Sequence, residues 1–307
     1  MRVLSSLVIV VVMMLVGGSA MAQDRTPDFE AYAGLERVAD DLADQWRENH
    51  EAFERVSLLR ERFPQVLSQT RGRYADLRQI VNLDDELFLP MLWALASDGP
   101  QMFGMDLQAF RAWRVGLIQG IRTYGDERAA PVLLRIAAGD PHGMARERAA
   151  AAVGALGEPE WIQALVEIAE EEAWIRPQIV TGLGDARRSQ TAEYLLEVAT
   201  RPGEEDETVR LAVRALGDWG NQWTWRTTEY DGIRGEWEKG RLQIIEVLVG
   251  MYLDSPRVLQ VEILKSLQLN GAGLSAEAAR GVAEREEGAR GEALRELARR
   301  LDASPLD

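Results

Sequence analysis

Apolar residues along most of this chain recur at steps of three and four, the spacing that places them on one face of an α-helix. Ala149, Ala150, Val153 and Leu156 share such a face, as do Trp161, Leu165 and Ile168. So do Leu242, Ile245, Leu248 and Tyr252, and again Val258, Val261, Leu264 and Leu267. Alternating apolar and polar runs are nearly absent after Gln23, and β-branched residues do not cluster between turn residues. Strands are therefore not expected. The predicted helices are short. Gly-Asp, Gly-Glu-Pro, Asp-Pro and Ser-Pro separate them, all of which are capping or turn chemistry.

One phrase recurs. Residues 146–158 read RERAAAAVGALGE and residues 209–221 read VRLAVRALGDWGN, aligned without gaps at a separation of 63. Residues 176–188 (RPQIVTGLGDARR) keep Leu183, Gly184 and Asp185, and residues 114–126 (RVGLIQGIRTYGD) keep Gly125 and Asp126. The equivalent turn positions 125, 157, 187 and 220 step by 32, 30 and 33 residues. A second short apolar helix follows each phrase, at 131–138, 161–171, 193–200 and 242–253. The unit is helix, Gly turn, helix. A hairpin this short cannot bury its apolar face alone, whereas stacked neighbours bury a continuous core. Ala-rich first helices let the layers approach, and the turn Gly is expected to end its helix in a left-handed conformation.

On these residues the chain resembles short HEAT-like repeats of the PBS-lyase-like type, over about residues 107–270. Arg187 departs from the second turn Gly, and Arg122 and Gln268 depart from the first. The resemblance implies an all-α fold, an α-solenoid in the form of a right-handed superhelix, used mostly for protein–protein contact. Some relatives act on bilins as lyases or isomerases, but no catalytic motif accompanies the phrase here. The flanks lack it. Residues 23–97 are read as a helical N-terminal cap with a degenerate repeat, its helices at 28–48, 51–62, 66–81 and 86–96; a separate small helical domain is the alternative. Residues 97–106 form a loop expected to expose Met102, Phe103 and Met105. Residues 271–307 hold two charged capping helices within 275–301, in which Arg and Glu alternate at helical spacing and pair along the surface.

The first 22 residues read differently. Arg2 gives a basic start, residues 4–16 are continuously apolar or small, and Ala20-Met21-Ala22 supplies small residues where a signal peptidase cuts. That order is a secretory signal peptide with cleavage after Ala22, and its apolar run is too short to span a bilayer. An uncleaved anchor is the alternative. The expected location is a periplasm or the cell exterior, and no later stretch is long and apolar enough to cross a membrane.

Charge and composition narrow the functions. With 35 Lys+Arg against 50 Asp+Glu the net charge is −15, which argues against nucleic-acid binding and against adhesion to anionic membranes. An acidic chain instead favours a partner with a basic patch. There is no Cys, which removes disulfides, iron–sulfur clusters, thiolate zinc sites and a Cys nucleophile. His50 and His142 stand far apart and outside any metal spacing, and no Walker or dinucleotide loop is present. Neither a cofactor nor a metal is expected, and the chain is read as non-enzymatic.

The strongest local departure is residues 222–240, QWTWRTTEYDGIRGEWEKG, where other units have a turn of two or three residues. Insertions in repeat arrays fall on one edge, often the binding edge. Trp223, Trp225, Tyr230 and Trp237 are residue types that anchor interfaces, and Arg226 and Arg234 can pair with carboxylates. The same flat rings suit sugar stacking, so a carbohydrate or cell-wall fragment is a second candidate ligand. A third reading has the aromatics folded back over the seam between repeats. Trp219 takes a core Leu position of the repeat. Glu229, Asp231, Glu236 and Glu238 supply carboxylates without a spacing that specifies hydrolysis. The acidic run at 204–207 is a weak candidate for a divalent cation.

Overall fold

The computed structural model describes residues 26–69, 84–97, 105–226 and 234–304. The signal peptide expected at 1–22, Met102 and Phe103 lie outside them. Among the described residues every regular element is a helix. Three precede the repeats: α1 (Ala39–Glu48), α2 (His50–Gln69) and α3 (Phe88–Ser97). Five hairpins follow: α4 (Leu107–Arg122) with α5 (Ala130–Gly139), α6 (Gly143–Leu156) with α7 (Pro159–Glu171), α8 (Arg176–Leu183) with α9 (Ser189–Thr200), α10 (Asp206–Gly220) with α11 (Arg234–Tyr252), and α12 (Arg257–Leu269) with α13 (Ala272–Ala283). The helix α14 (Gly288–Asp302) closes the stack on α13.

First helices pack on first helices, α4 on α6, α6 on α8, α8 on α10 and α10 on α12, and the second helices follow in parallel. This is an α-solenoid. The N-terminal helices keep the register, since α2 lies on α4 and α3 on α5. Buried apolar side chains from Phe29 to Leu301 join in one continuous core.

Small residues decide how near the first helices come. A Cβ added to Gly182 of α8 would stand 2.6 Å from the Ala150 methyl and 2.7 Å from the Ala151 nitrogen of α6. One added to Gly154 would stand 2.9 Å from the Ala186 methyl. Ala149, Ala150, Ala152 and Val153 are fully buried at this contact. The turn glycines divide in role. Gly157 has φ 74° and ends α6 in the left-handed conformation, as expected. Gly220 stays helical and matters instead for space, because a Cβ there would overlap the Asn270 side chain.

Only part of the face expected for the last hairpin is buried: Leu267 is in the core and Leu264 packs against it. Val258 and Val261 are 70% and 49% exposed, and Leu242 of the preceding helix is 56% exposed. Glu262, Ser266 and Asn270 face α10 in their place, all buried. Ser266 Oγ donates to the Val213 carbonyl at 2.7 Å, and Asn270 Nδ2 donates to the Leu216 carbonyl at 3.2 Å. Glu262 takes Arg214 Nε at 2.7 Å, a contact that lowers its pKa. The cause is the glycine pair of α10. Gly217 and Gly220 bring α12 so near that short polar side chains reach the α10 carbonyls, where Val and Leu branches would not fit.

Arginines tie the opposite ends of the hairpins. Arg114 of α4 pairs with buried Asp140 at 2.7 Å. One unit on, Arg146 donates to the Asp140 carbonyl at 2.6 Å. A further unit on, Arg176 pairs with Glu204 at 2.9 Å and donates to the Ala169 carbonyl. Glu204 also takes Arg201, so the acidic run at 204–207 holds guanidinium groups rather than presenting a free cation site.

Three further expectations are corrected. No helix fills 28–48: after a short 3-10 turn at Phe29–Ala31 the chain bends at Gly34 (φ 92°), whose backbone lies against Val132, and α1 begins at Ala39. The helices expected at 51–62 and 66–81 begin as one, α2, which carries Pro64 inside it. Met105 is buried rather than exposed. At the C-terminus the pairing expected at helical spacing is present, with Arg299 and Arg300 on Glu296 at 2.7 and 3.3 Å, while Arg280 on Asp302 and Arg290 on Asp254, each at 2.8 Å, join separate elements.

Gly182→Ala is expected to destabilise by about 1–3 kcal/mol through overpacking, despite the better helix propensity of Ala. Gly250→Ala, where a Cβ meets nothing within 4 Å, is expected to be neutral or to stabilise by up to about 1 kcal/mol. Urea midpoints of the two variants check the contrast.

Candidate functional site

The 222–240 insertion is built around a stack of three tryptophans. Trp219 ends α10 fully buried, and its Nε1 donates to the Arg188 carbonyl of the preceding turn at 3.1 Å. Gly240 makes room for it, since a Cβ there would lie 2.7 Å from the Trp219 ring. Trp225 sits on a 3-10 turn at Thr224–Arg226 and is 1% exposed. Its Nε1 donates to the Trp219 carbonyl at 2.6 Å, and its ring meets Trp219 edge to face with centroids 5.4 Å apart. Trp237 lies against Trp225, with centroids at 5.7 Å and planes 23° apart. The Arg241 guanidinium covers Trp237 at 4.8 Å from its centroid. Burial lowers the pKa of Arg241, with Glu238 partly opposing that shift.

Trp223 lies at the surface, whereas Trp225 and Trp237 are folded back over the seam, the third of the readings the sequence allowed. Trp223 is 51% exposed. The two buried rings fill the seam between α10 and α11, because indole area is more stable there than in water and the Trp225 N–H finds a carbonyl. The insertion is also shorter as a loop than expected. Its last part, from Arg234, is the first turn and more of α11, with Arg234 half-buried at its start. The Gln222 N–H donates to the Leu269 carbonyl at 3.2 Å and ties the insertion to α12. Trp223 is positioned by its own N–H, which donates to Asn221 Oδ1 at 3.0 Å. Tyr230 and the Arg226 side chain lie outside the described residues, as do Glu229 and Asp231.

Residues 108–176 match the family model for HEAT repeats. The stack is an α-solenoid that carries HEAT-like repeats over this stretch. A comparison with curated proteins gave no match. The matched stretch spans the first two HEAT hairpins, α4 to α7, and reaches the start of α8. The remaining hairpins continue the stack by the same packing of first helix on first helix.

Two further aromatic features escaped the sequence pattern. Trp174 stands on the other edge of the HEAT stack, in the α7–α8 turn, 59% exposed. Its Nε1 donates to Glu172 at 3.0 Å, and the Arg146 guanidinium sits 4.7 Å from its ring centre. The second is a cluster of Phe29, Trp46, His50, Phe53 and Trp93, drawn together from α1, α2, α3 and the turn before them. Trp46, His50 and Phe53 follow helical spacing, but the break at Asn49 between α1 and α2 hides it. Among the described residues no group of three or more His, Asp or Glu is arranged to hold a metal ion. His142 starts α6, and burial lowers its pKa, with Arg111 and Arg146 adding to that shift and Asp140 opposing it.

Trp225→Ala is expected to cost about 3–5 kcal/mol, the range of a large core truncation. Trp223→Ala is expected to stay within about 0.5 kcal/mol of wild type. Urea denaturation followed by circular dichroism separates the two, and equal costs would place Trp223 in the core as well.

Proposed function

We propose that this chain is an exported, non-enzymatic scaffold that uses its HEAT repeats to hold a protein partner in the periplasm, with Trp223 at the contact. The observation that carries the reading is the match to HEAT repeats, which suggests protein partners, joined to one half-exposed Trp on a braced base. A large ring held still on a rigid edge loses little entropy on binding, which suits an interface anchor. The net charge of −15 favours a partner with a basic patch. Export rests on the basic, apolar, small-residue order of residues 1–22.

The test is affinity purification from the periplasmic extract of the organism, using the full exported chain beside its Trp223→Ala variant. A protein retained by wild type, lost with the variant and released by salt is the expected result. Retention of the same protein by both moves the contact elsewhere on the stack. If neither retains a protein, the scaffold reading fails and glycan binding at Trp223 is tested on an array. N-terminal sequencing of the exported chain is expected to begin at Gln23; a start at Met1 would overturn the cleaved signal.

A further inference from the structure

The aromatic cluster at the N-terminal end borders a cavity of about 270 Å³ between α1, α2 and α3. Its walls include the rings of Trp46, His50, Phe53 and Trp93, with Glu54 and Leu58 among the lining residues. The rings do not form a flat stack. Trp46 meets Trp93 at 78°, His50 at 83° and Phe53 at 68°, and Phe53 meets Trp93 at 64°. Centroid distances run from 4.2 Å for Trp46 and His50 to 5.7 Å for Phe53 and Trp93. His50 and Phe53 lie 21° from parallel with centroids 6.5 Å apart, so the four rings wall an open box with both parallel and perpendicular sides. Trp46 and Trp93 are only partly buried, so the cluster is not sealed into the core.

The charge around this box is one-sided. Residues 40–54 carry Asp40, Asp41, Asp44, Glu48, Glu51 and Glu54 against the single Arg47. Asp44 is paired with Arg47, and Asp41 with Arg128. Glu54 has His50 Nε2 at 3.9 Å and is itself 56% exposed. Arg55 turns away to Asp84 at 2.7 Å. Arg60 lines a neighbouring cavity that shares Phe53 and Trp93.

We propose that this pocket binds a small organic cation bearing a quaternary, alkylated nitrogen. Aromatic faces carry negative potential and attract a cation seated within about 6 Å of a ring centre. The surplus of carboxylates rules against an anion and adds to the attraction for a cation. The alkylation follows from hydrogen bonding. A primary ammonium brings three N–H donors, and losing its water without acceptors is costly. The polar atoms of the lining are those of Glu54, the Ser57 hydroxyl and His50, whose Nε2 already stands 3.9 Å from Glu54, too few to replace the water around three N–H donors; the rest is ring and aliphatic carbon. A quaternary nitrogen has no N–H to satisfy, and its methyl groups fit apolar walls. This site lies at the N-terminal end of the stack, in helices that precede the five hairpins, away from the Trp223 insertion in the fourth of them, and does not rest on the protein-contact reading.

Choline and tetramethylammonium serve as probes, titrated against the full exported chain and followed by tryptophan fluorescence and by NMR of the indole N–H groups. The control is 3,3-dimethyl-1-butanol, the neutral isostere of choline, at matched ionic strength. Saturable binding of both cations is expected, with the neutral isostere at least about tenfold weaker. Glu54→Gln, at an exposed position that leaves the fold intact, is expected to weaken choline about threefold or more, and Trp223→Ala to leave it unchanged. Equal binding of choline and its isostere overturns the proposal, as does absence of saturation. Choline affinity unaltered in Glu54→Gln, or lost in Trp223→Ala, overturns it too.

Discussion

The structure depends on how closely the first helices of successive hairpins can approach. Gly154, Gly182 and Gly217 each face a neighbouring layer so near that one methyl group would collide. At such distances the interior is filled by backbone and Ala methyls rather than by long side chains, and dispersion contacts are dense. Short helices of 8 to 15 residues gain little stability alone. Stacking gives each of them two partners, which is why the core runs unbroken from Phe29 to Leu301.

Close approach exposes a second requirement. Backbone carbonyls near the glycines and at hairpin ends must find donors, since an unsatisfied buried group costs about 1–3 kcal/mol. Side chains at register positions meet it. Arg146 serves the Asp140 carbonyl in the loop before its own helix, Arg176 serves the Ala169 carbonyl in the last turn of α7, and Ser266 and Asn270 serve carbonyls of α10. The exposed Val258 and Val261 are the counterpart of that choice, because a helix that turns its polar side inward turns apolar residues outward. Trp219 and Trp225 use the same chemistry on the other edge, each indole N–H ending on a carbonyl of a neighbouring turn.

These constraints separate what is rigid from what is available. The three stacked indoles make the base of the insertion part of the core, and Trp223 is the ring left half in water. At the far end, five rings gathered from four segments close the stack without filling it. Both features use aromatic area, one to seal a seam and the other to wall a cavity. Exposure separates them: Trp219, Trp225 and Trp237 are all buried, whereas Trp46 and Trp93 are only partly buried.

The sequence by itself determined the all-α class, the repeat unit, the edge that carries the insertion, and the place of Trp219 and Gly157. Each is encoded within a window of a few turns, by helical spacing or by a residue type that only one backbone conformation suits. Tertiary structure decided the rest. Whether Val258 or Glu262 faces inward depends on the glycines of α10, some forty residues away in the chain. Trp225 and Trp237 are buried because α11 begins at Arg234 and brings one ring onto the other, a contact that composition does not contain. The box around Trp46 was illegible for the same reason. Its walls come from positions 46 to 93, and only the packing of α1, α2 and α3 gives them a common space. Local periodicity reports which residues want to be buried, whereas the layer-to-layer distance decides which of them are.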